Sequence, residues 1–407
     1  MRFDPFHLLT RCLIWLAGSG LLTVLLATGI GTPIDNALYD WHLRHWRYAP
    51  SDDVVIVAID AKSLTELGRW PWPRMLHARL IDRLTAAGVR GIGVDITVAE
   101  PNTTHPENDL ALAQAIKRNG RVVMPIFAEP TALGGPLEEM MPAPAIMASG
   151  AALGHVDVAE DADGLVRSAY LKAGLGRPYW PSFALAIYQT GNHQANLANQ
   201  PDPLPGLRND KLSESPYLWI RDNYVLLRYA GPAGRFGRIS YTDVLNDRVP
   251  AALLKDRWVL IGATSEGLGD AINTPASRNT PMMPGVEYQA NVLESLLRGL
   301  TITPLSFASQ LLLGSLMLAL PVLLQGMPGL RRPWLAALIH TCMVLLLSLF
   351  LLRGADRWWP PSACLLLLLT GYGMLGLFAS WQRLAPATLD PSLVRRHAAA
   401  PRITDIS

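Results

Sequence analysis

Acidic and hydroxyl side chains gather just after the apolar runs of this chain. Asp60 follows VVIVAI (54–59). Asp95 lies inside IGVDITV (92–98), with Glu100 shortly after it. Thr264, Ser265 and Asp270 follow WVLIG (258–262). If the runs are parallel strands, these groups share one sheet edge, where open α/β sheets bind ligands. The alternative is local work, capping helices and satisfying loop amides. RWPWPR (69–74) adds two Trp–Pro pairs. Trp70 and Trp72 suit either a pocket wall or an aromatic plug at the sheet edge, and Arg69 and Arg74 can pair with an anion.

Other chemistries fail on spacing. ATSEG (263–267) follows a strand as a nucleophile elbow would, but the residues after it open no helix. The only histidines beyond Ser265 are His340, inside an apolar block, and His397, close to the end, so a Ser–Asp–His order is not completed. His42, His45, His77, His105, His155 and His193 show no H-E-x-x-H spacing, and neither a Walker A nor a G-x-G-x-x-G loop occurs. EDADGLVR (160–167) resembles part of a calcium loop, but Ala159 occupies the first ligand position and Tyr170 the twelfth, which excludes an EF-hand. A turn cornered at Asp163-Gly164 accounts for it better. Cys12, Cys342 and Cys364 all fall in apolar blocks, leaving the middle of the chain without a thiol for a disulfide, metal site or nucleophile. No catalytic residue, metal or cofactor is expected.

The elements that must position the acids come in two kinds. Half of the 407 residues are apolar and only 17% are charged, below the roughly 25% of soluble domains. The excess is concentrated in four blocks at 12–31, 305–325, 334–352 and 358–381, each read as a membrane helix. Trp334, Trp358, Trp359 and Trp381 mark their ends as interfacial tryptophans do. Arg2, Arg11, Arg331, Arg332, Arg383, Arg395, Arg396 and Arg402 occupy flanks that are all cytoplasmic at once if four helices cross. Both termini (1–11 and 382–407) are then inside and segment 32–303 is outside. His340, with no acidic partner in any block, is read as a neutral imidazole bonded to a neighbouring helix. The near-zero net charge of +2 shows no nucleic-acid footprint.

Segment 32–303 alternates strand and helix patterns. After VVIVAI comes a helix at 74–87, whose Leu76, Leu80, Leu84 and Ala87 keep one face and which Gly88 ends. IGVDITV follows, then a helix at 108–120 and strands at 122–127, 225–229 and 258–262, with another helix at 181–188. Val286, Ala290, Leu293 and Leu297 mark a last helix before the second membrane block. Stretches 129–150 and 191–216 read as loops. The pattern predicts an α/β domain with a mostly parallel sheet and flanking helices.

Seven stretches carry a family likeness: IDNALYDWHLR (34–44), VVIVAIDAKSL (54–64), RWPWPR, GVDITVAEPN (93–102), LGHVDVAEDADGLVR (153–167), WVLIGATSEGLGD (258–270) and PGVEYQANVLESLL (284–297). In order and spacing the chain resembles the CHASE2 domain over roughly residues 30–380. The resemblance implies an extracytoplasmic sensory module of a bacterial inner-membrane receptor, with one helix before the domain and three after it. It implies an unknown extracytoplasmic ligand or protein, a cytoplasmic cyclase or kinase as partner, and a homodimer in the lipid bilayer. Family members usually continue into an output domain, whereas only residues 382–407 follow Trp381 here, fewer than the ~50 of the smallest domains. The expectation is therefore an input module without an enzyme of its own, or the sensor part of a split or truncated receptor. A structural or assembly membrane protein is the rival. IDNALYDWHLR reads as a connector on the membrane surface, with Leu38, Trp41 and Trp46 against lipid and Asp35, Asp40 and Arg44 in water.

Overall fold

The computed structural model describes residues 5–131, 134–192, 204–209, 215–265, 267–277, 280–323 and 332–384. Arg2, His193, Arg331, Arg395, Arg396, His397 and Arg402 lie outside the described residues, with nearly all of 382–407. The chain forms two compact units. One comprises Met1–Asp35, Ser306–Gly354 and Trp359–Ser407, the other Asn36–Leu305 and Ala355–Trp358.

Helix α1 (Pro5–Thr28) opens the chain and α2 (Thr32–His45) follows it. In the second unit β1 (Val54–Ile59) leads to α3 (Ala61–Leu67) and α4 (Arg74–Ala86). Then come β2 (Gly91–Asp95), α5 (Pro106–Asn119), β3 (Val122–Pro130), β4 (Leu137–Met140), α6 (Pro144–Met147) and β5 (Ala152–His155). A second run holds β6 (Ser168–Leu175), β7 (Trp180–Pro181), α7 (Phe183–Gly191) and β8 (Trp219–Leu226). The unit closes with β9 (Gly237–Ser240), α8 (Tyr241–Leu245), β10 (Trp258–Ala263), β11 (Ala271–Ile272), β12 (Met283–Pro284), α9 (Gly285–Arg298) and β13 (Thr303–Pro304). β13 pairs in parallel with β14 (Arg357–Trp358).

The main sheet has seven strands, in the order β4-β3-β2-β10-β1-β9 with β5 also on β3. Only β4 is antiparallel to its neighbour. β1 is buried along its whole length, which is why VVIVAI shows no alternation. On one face Val57, Ile59, Val94, Val122 and Ile261 pack into a single core with Leu80 and Leu84 of α4 and Leu112 and Ile116 of α5. On the other face the strands carry glycine, and helices come very close. A Cβ on Gly154 would lie 2.6 Å from Phe183 Cα, and one on Gly262 would lie 2.7 Å from Val286 Cβ. α7 and α9 therefore sit nearer the sheet than any larger residue allows.

Helix ends follow local rules. Gly88 takes a left-handed φ of 74° after α4, its N–H bonds Thr85 O and the N–H of Val89 bonds Leu84 O. Ser182 Oγ accepts from Leu185 N, so the helix expected at 181–188 starts at Phe183. Two expectations need correction. The strand expected at 225–229 shares only Val225 and Leu226 with β8, which lies in a separate antiparallel sheet ordered β7-β6-β8, and residues 227–229 are not in a strand. An apolar run specifies a strand but not its partner. The stretch 129–150, read as loop, holds the end of β3 together with β4 and α6. There the β3–β4 ladder overrides turn-forming composition.

The other unit adds α10 (Phe307–Leu323), α11 (Pro333–Gly354) and α12 (Ser362–Leu384) to α1. Leu9–Thr28 and Pro333–Gly354 are long and apolar enough to cross a membrane, while Phe307–Val322 and Ser362–Leu377 are apolar but shorter. The expectation of four crossing helices is thus met by length and composition in two. Trp15 Nε1 donates to Ser315 O at 2.8 Å, joining α1 to α10. His340 Nδ1 lies 2.9 Å from Tyr372 Oη on α12.

The close approach of α7 is testable. Gly154→Ala forces a methyl into Phe183 backbone and should cost about 1–3 kcal/mol. Gly237→Ala, which meets nothing within 4 Å, should be close to neutral. Urea denaturation of the purified full chain in detergent distinguishes the two.

Candidate functional site

The carboxyl ends of β1, β2 and β10 and the middle of β3 open on a cleft of about 1080 Å³. Of the residues expected at this edge, Trp70, Trp72, Arg74, Asp95, Glu100 and Asp270 line it. Asp60, Arg69, Thr264 and Ser265 do not.

Asp60 is used locally. It is the N-cap of α3, and its Oδ1 accepts from Ser63 N at 2.8 Å, Ser63 Oγ at 2.7 Å and Ser240 Oγ at 2.9 Å. It thereby joins β1 to β9 at their ends. Thr264 is held by its backbone, its N–H donating to Ile59 O at 3.1 Å. Arg69 is exposed.

RWPWPR builds a wall. Trp72 is buried, donates from Nε1 to Gly68 O at 2.9 Å and packs on Tyr241 with ring centroids 4.9 Å apart. Trp70 stands edge-on to Trp72 at 5.2 Å and is half-buried at the cleft. Tyr241 and His77 share a hydrogen bond of 2.8 Å behind them. Burial, reinforced by Arg74, lowers His77 to about 4, so it stays neutral. Arg74 is not available to an outside anion. It donates to Asp109 Oδ1 and to Glu100 O, and Asp109 Oδ2 accepts from Asn102 N at 2.8 Å. The guanidinium pins the 100–109 loop against α4.

Asp95 ends β2 and faces the cleft. Burial pushes its carboxyl up to about 7, and repulsion from Asp270 adds to the rise. A Cβ on Gly285 would lie 3.7 Å from Asp270 Cβ and 3.9 Å from Asp95 Oδ2, so both acids flank the first residue of α9. Gly285 N donates to Asp270 O at 2.9 Å, and the β11–β12 ladder that follows Asp270 fixes this approach. One turn on, Gln289 lines the same cleft and is only 5% exposed. Among the described residues no protein group hydrogen-bonds the side chains of Asp95, Asp270 or Gln289.

A second constellation lies where the sequence suggested a connector. Arg167 is 2% exposed and grips three acids. Its Nε and Nη2 hold Asp40 of α2 at 2.7 and 2.9 Å, and its Nη1 reaches Asp161 at 2.7 Å and Asp163 at 2.8 Å. Hydrogen bonding to Arg167 holds Asp163 below the ordinary carboxylate range. Asp40 does not face water as expected, because Arg167 supplies both its charge and its hydrogen bonds in the interior. Asp35, in the helical unit, is buried as well. Its Oδ1 accepts from Ser362 N at 2.9 Å, capping α12. Arg44 is half-buried, its Nε donating to Asp40 O at 3.2 Å, and Trp41 is exposed.

Sequence reasoning missed Gln289 and Arg167. Gln289 falls beside the apolar stripe of α9, where a polar residue reads as solvent-facing. Arg167 had a signal: it stands four residues after Asp163 and six after Asp161, which suits a turn folding back on its own arginine.

The CHASE2 domain family matches residues 17–324. An open cleft at the carboxyl edge of a parallel sheet is where such sheets hold ligands. The chain belongs to the CHASE2 family, whose members are extracytoplasmic sensory domains of membrane receptors. Comparison with curated proteins and with solved structures returns no match.

Two outcomes test the site. Arg167→Met leaves Asp40 buried without a partner and should cost about 3–5 kcal/mol, whereas Asp163→Asn, at the exposed end of the cluster, should cost under about 1 kcal/mol. Denaturation midpoints compare them. Asp95 titrates in the unusual direction. Its folded pKa of about 7 lies above the unfolded value of 3.8, so the folded state holds the extra proton and stability is lost as pH rises through that window. Asp95→Asn should therefore stabilise on the order of 1–2 kcal/mol at pH 8, with the gain gone at pH 3.5, in a denaturation series across pH.

Proposed function

We propose that this chain is the input part of a bacterial membrane receptor. Segment 32–303 lies outside the cytoplasm, between one N-terminal and three C-terminal helices, with both termini in the cytoplasm. A ligand in the cleft shifts an equilibrium between two arrangements, and the helices pass the shift to a cytoplasmic cyclase or kinase partner, the receptor acting as a homodimer. The carrying observation is the cleft itself: a large opening at the carboxyl edge of the sheet, lined by polar groups with no protein partner, in a member of a sensory family.

Two elements suit the relay. α9 borders the cleft through Gly285 and Gln289 and precedes the segment leading to α10. α2 supplies one buried acid to each unit, Asp35 to the start of α12 and Asp40 to Arg167. The two acids are five residues apart on one helix, about 7.5 Å along its axis. A ligand moves such a system only if it binds the two arrangements unequally.

The test joins a cyclase catalytic domain to Ser407 of the full chain in bacterial membranes. Asp40→Asn should change reporter output several-fold, and an envelope extract should change the output of the unsubstituted chain. Asp82→Asn, on a surface pair with Arg118, should do neither. A disulfide-dependent phosphatase should be active when fused after Leu300 and inactive after Arg332. A cytoplasmic position at Leu300, or output indifferent to both Asp40→Asn and extract, would reject the receptor reading.

A further inference from the structure

The charge lining the cleft is one-sided. Among the described residues it comprises four carboxylates, Asp95, Glu100, Glu129 and Asp270, and one guanidinium, that of Arg74. Arg74 is already neutralised by Asp109, so an incoming ligand meets a net negative surface. The acids concentrate where Asp95 and Asp270 flank Gly285. The N-terminus of α9 offsets part of that charge, roughly half an elementary charge, and leaves the remainder unmatched.

An acidic pair alone would be weak ground. Gln289 is the independent observation: a residue 95% buried that lines the same cleft, with no side-chain hydrogen-bond partner among the described residues. Its position one turn after Gly285 puts it on the α9 face that the two acids flank. Once ionised, the two carboxyl groups are acceptors only, as is the amide carbonyl, and together they match a group with several N–H donors and a compact positive charge, which also favours the ionised form of Asp95. Trp70 and Phe127 line the same cleft, and aromatic rings attract a cation of this kind.

We propose that this end of the cleft binds the ammonium head of a small organic cation, with Asp95 and Asp270 as counter-charges and Gln289 Oε1 as a further acceptor. A divalent metal is a poorer fit, because no group of three or more His, Cys, Asp or Glu among the described residues is placed to hold one. A dicarboxylate or phosphate is opposed by the four acids. The proposal rests on the receptor reading only in calling the bound molecule a signal, since binding is measured without any output.

The experiment uses the full chain in lipid nanodiscs and isothermal calorimetry. The probes are putrescine and ethanolamine, with 1,4-butanediol, succinate and calcium chloride as comparisons. Saturable binding of putrescine or ethanolamine is expected. Asp95→Asn and Asp270→Asn should each weaken it at least tenfold and Gln289→Leu several-fold, while Asp82→Asn leaves it unchanged. Asp95→Asn removes a carboxylate strained by burial, so loss of binding there is not loss of fold, and the melting curve verifies this. Binding of the diol or succinate with comparable affinity overturns the proposal, as does a calcium-only response. Amine binding indifferent to Asp95→Asn, or no binding by either amine, also overturns it. None of these results alters the reporter response by which the receptor reading is judged.

Discussion

A parallel sheet covered on both faces has no free surface for chemistry except the ends of its strands. β1, β2, β10 and the first five residues of β3 are almost wholly buried, and the strands are joined through their backbone ladders. Polar side chains are therefore tolerated only where a strand stops, which is where Asp60, Asp95 and Thr264 are found. The same burial sets their individual roles. Asp60 meets three donors and becomes a fastener. Asp95 meets none and keeps a carboxyl that binds its proton up to about pH 7.

The glycine face of the sheet makes the cleft possible. Without side chains at Gly154 and Gly262, α7 and α9 approach to direct contact, and the first turn of α9 is drawn over the end of β10. That approach brings Gly285 beside Asp95 and Gln289 into the same cleft. Larger residues at those glycines would lift α9 away and part the amide from the acids. Packing on one face of the sheet thus fixes the chemistry at its edge.

Buried charge has a different origin in the connector. Three acids around Arg167 leave no charge on that guanidinium unmatched, and Asp40 gains two hydrogen bonds in return for its lost hydration. Such a cluster contributes little net stability over an apolar substitute but strongly penalises any arrangement that separates its members. It ties α2 to the 161–167 turn in one geometry. A structure that must distinguish two states benefits from contacts of this kind, because their geometry tolerates little drift.

Much of the architecture was legible in the residues. Continuous β-branched runs announced buried strands, Leu76, Leu80 and Leu84 announced α4, and the order of the seven family-like stretches pointed to the CHASE2 family. Six of the ten residues expected at the sheet edge do line the cleft, Asp95, Glu100 and Asp270 because they lie at or beyond strand ends and Trp70, Trp72 and Arg74 because the 69–74 segment walls it. What the chain alone left open was partnership. Whether Arg74 awaits an anion or holds Asp109, and whether Asp40 faces water or Arg167, depend on residues far away in sequence. Periodicity reports which face of an element is apolar. It carries no information on which distant side chain will share a polar group's surroundings, and at buried sites that neighbour decides its charge, its hydrogen bonds and its role.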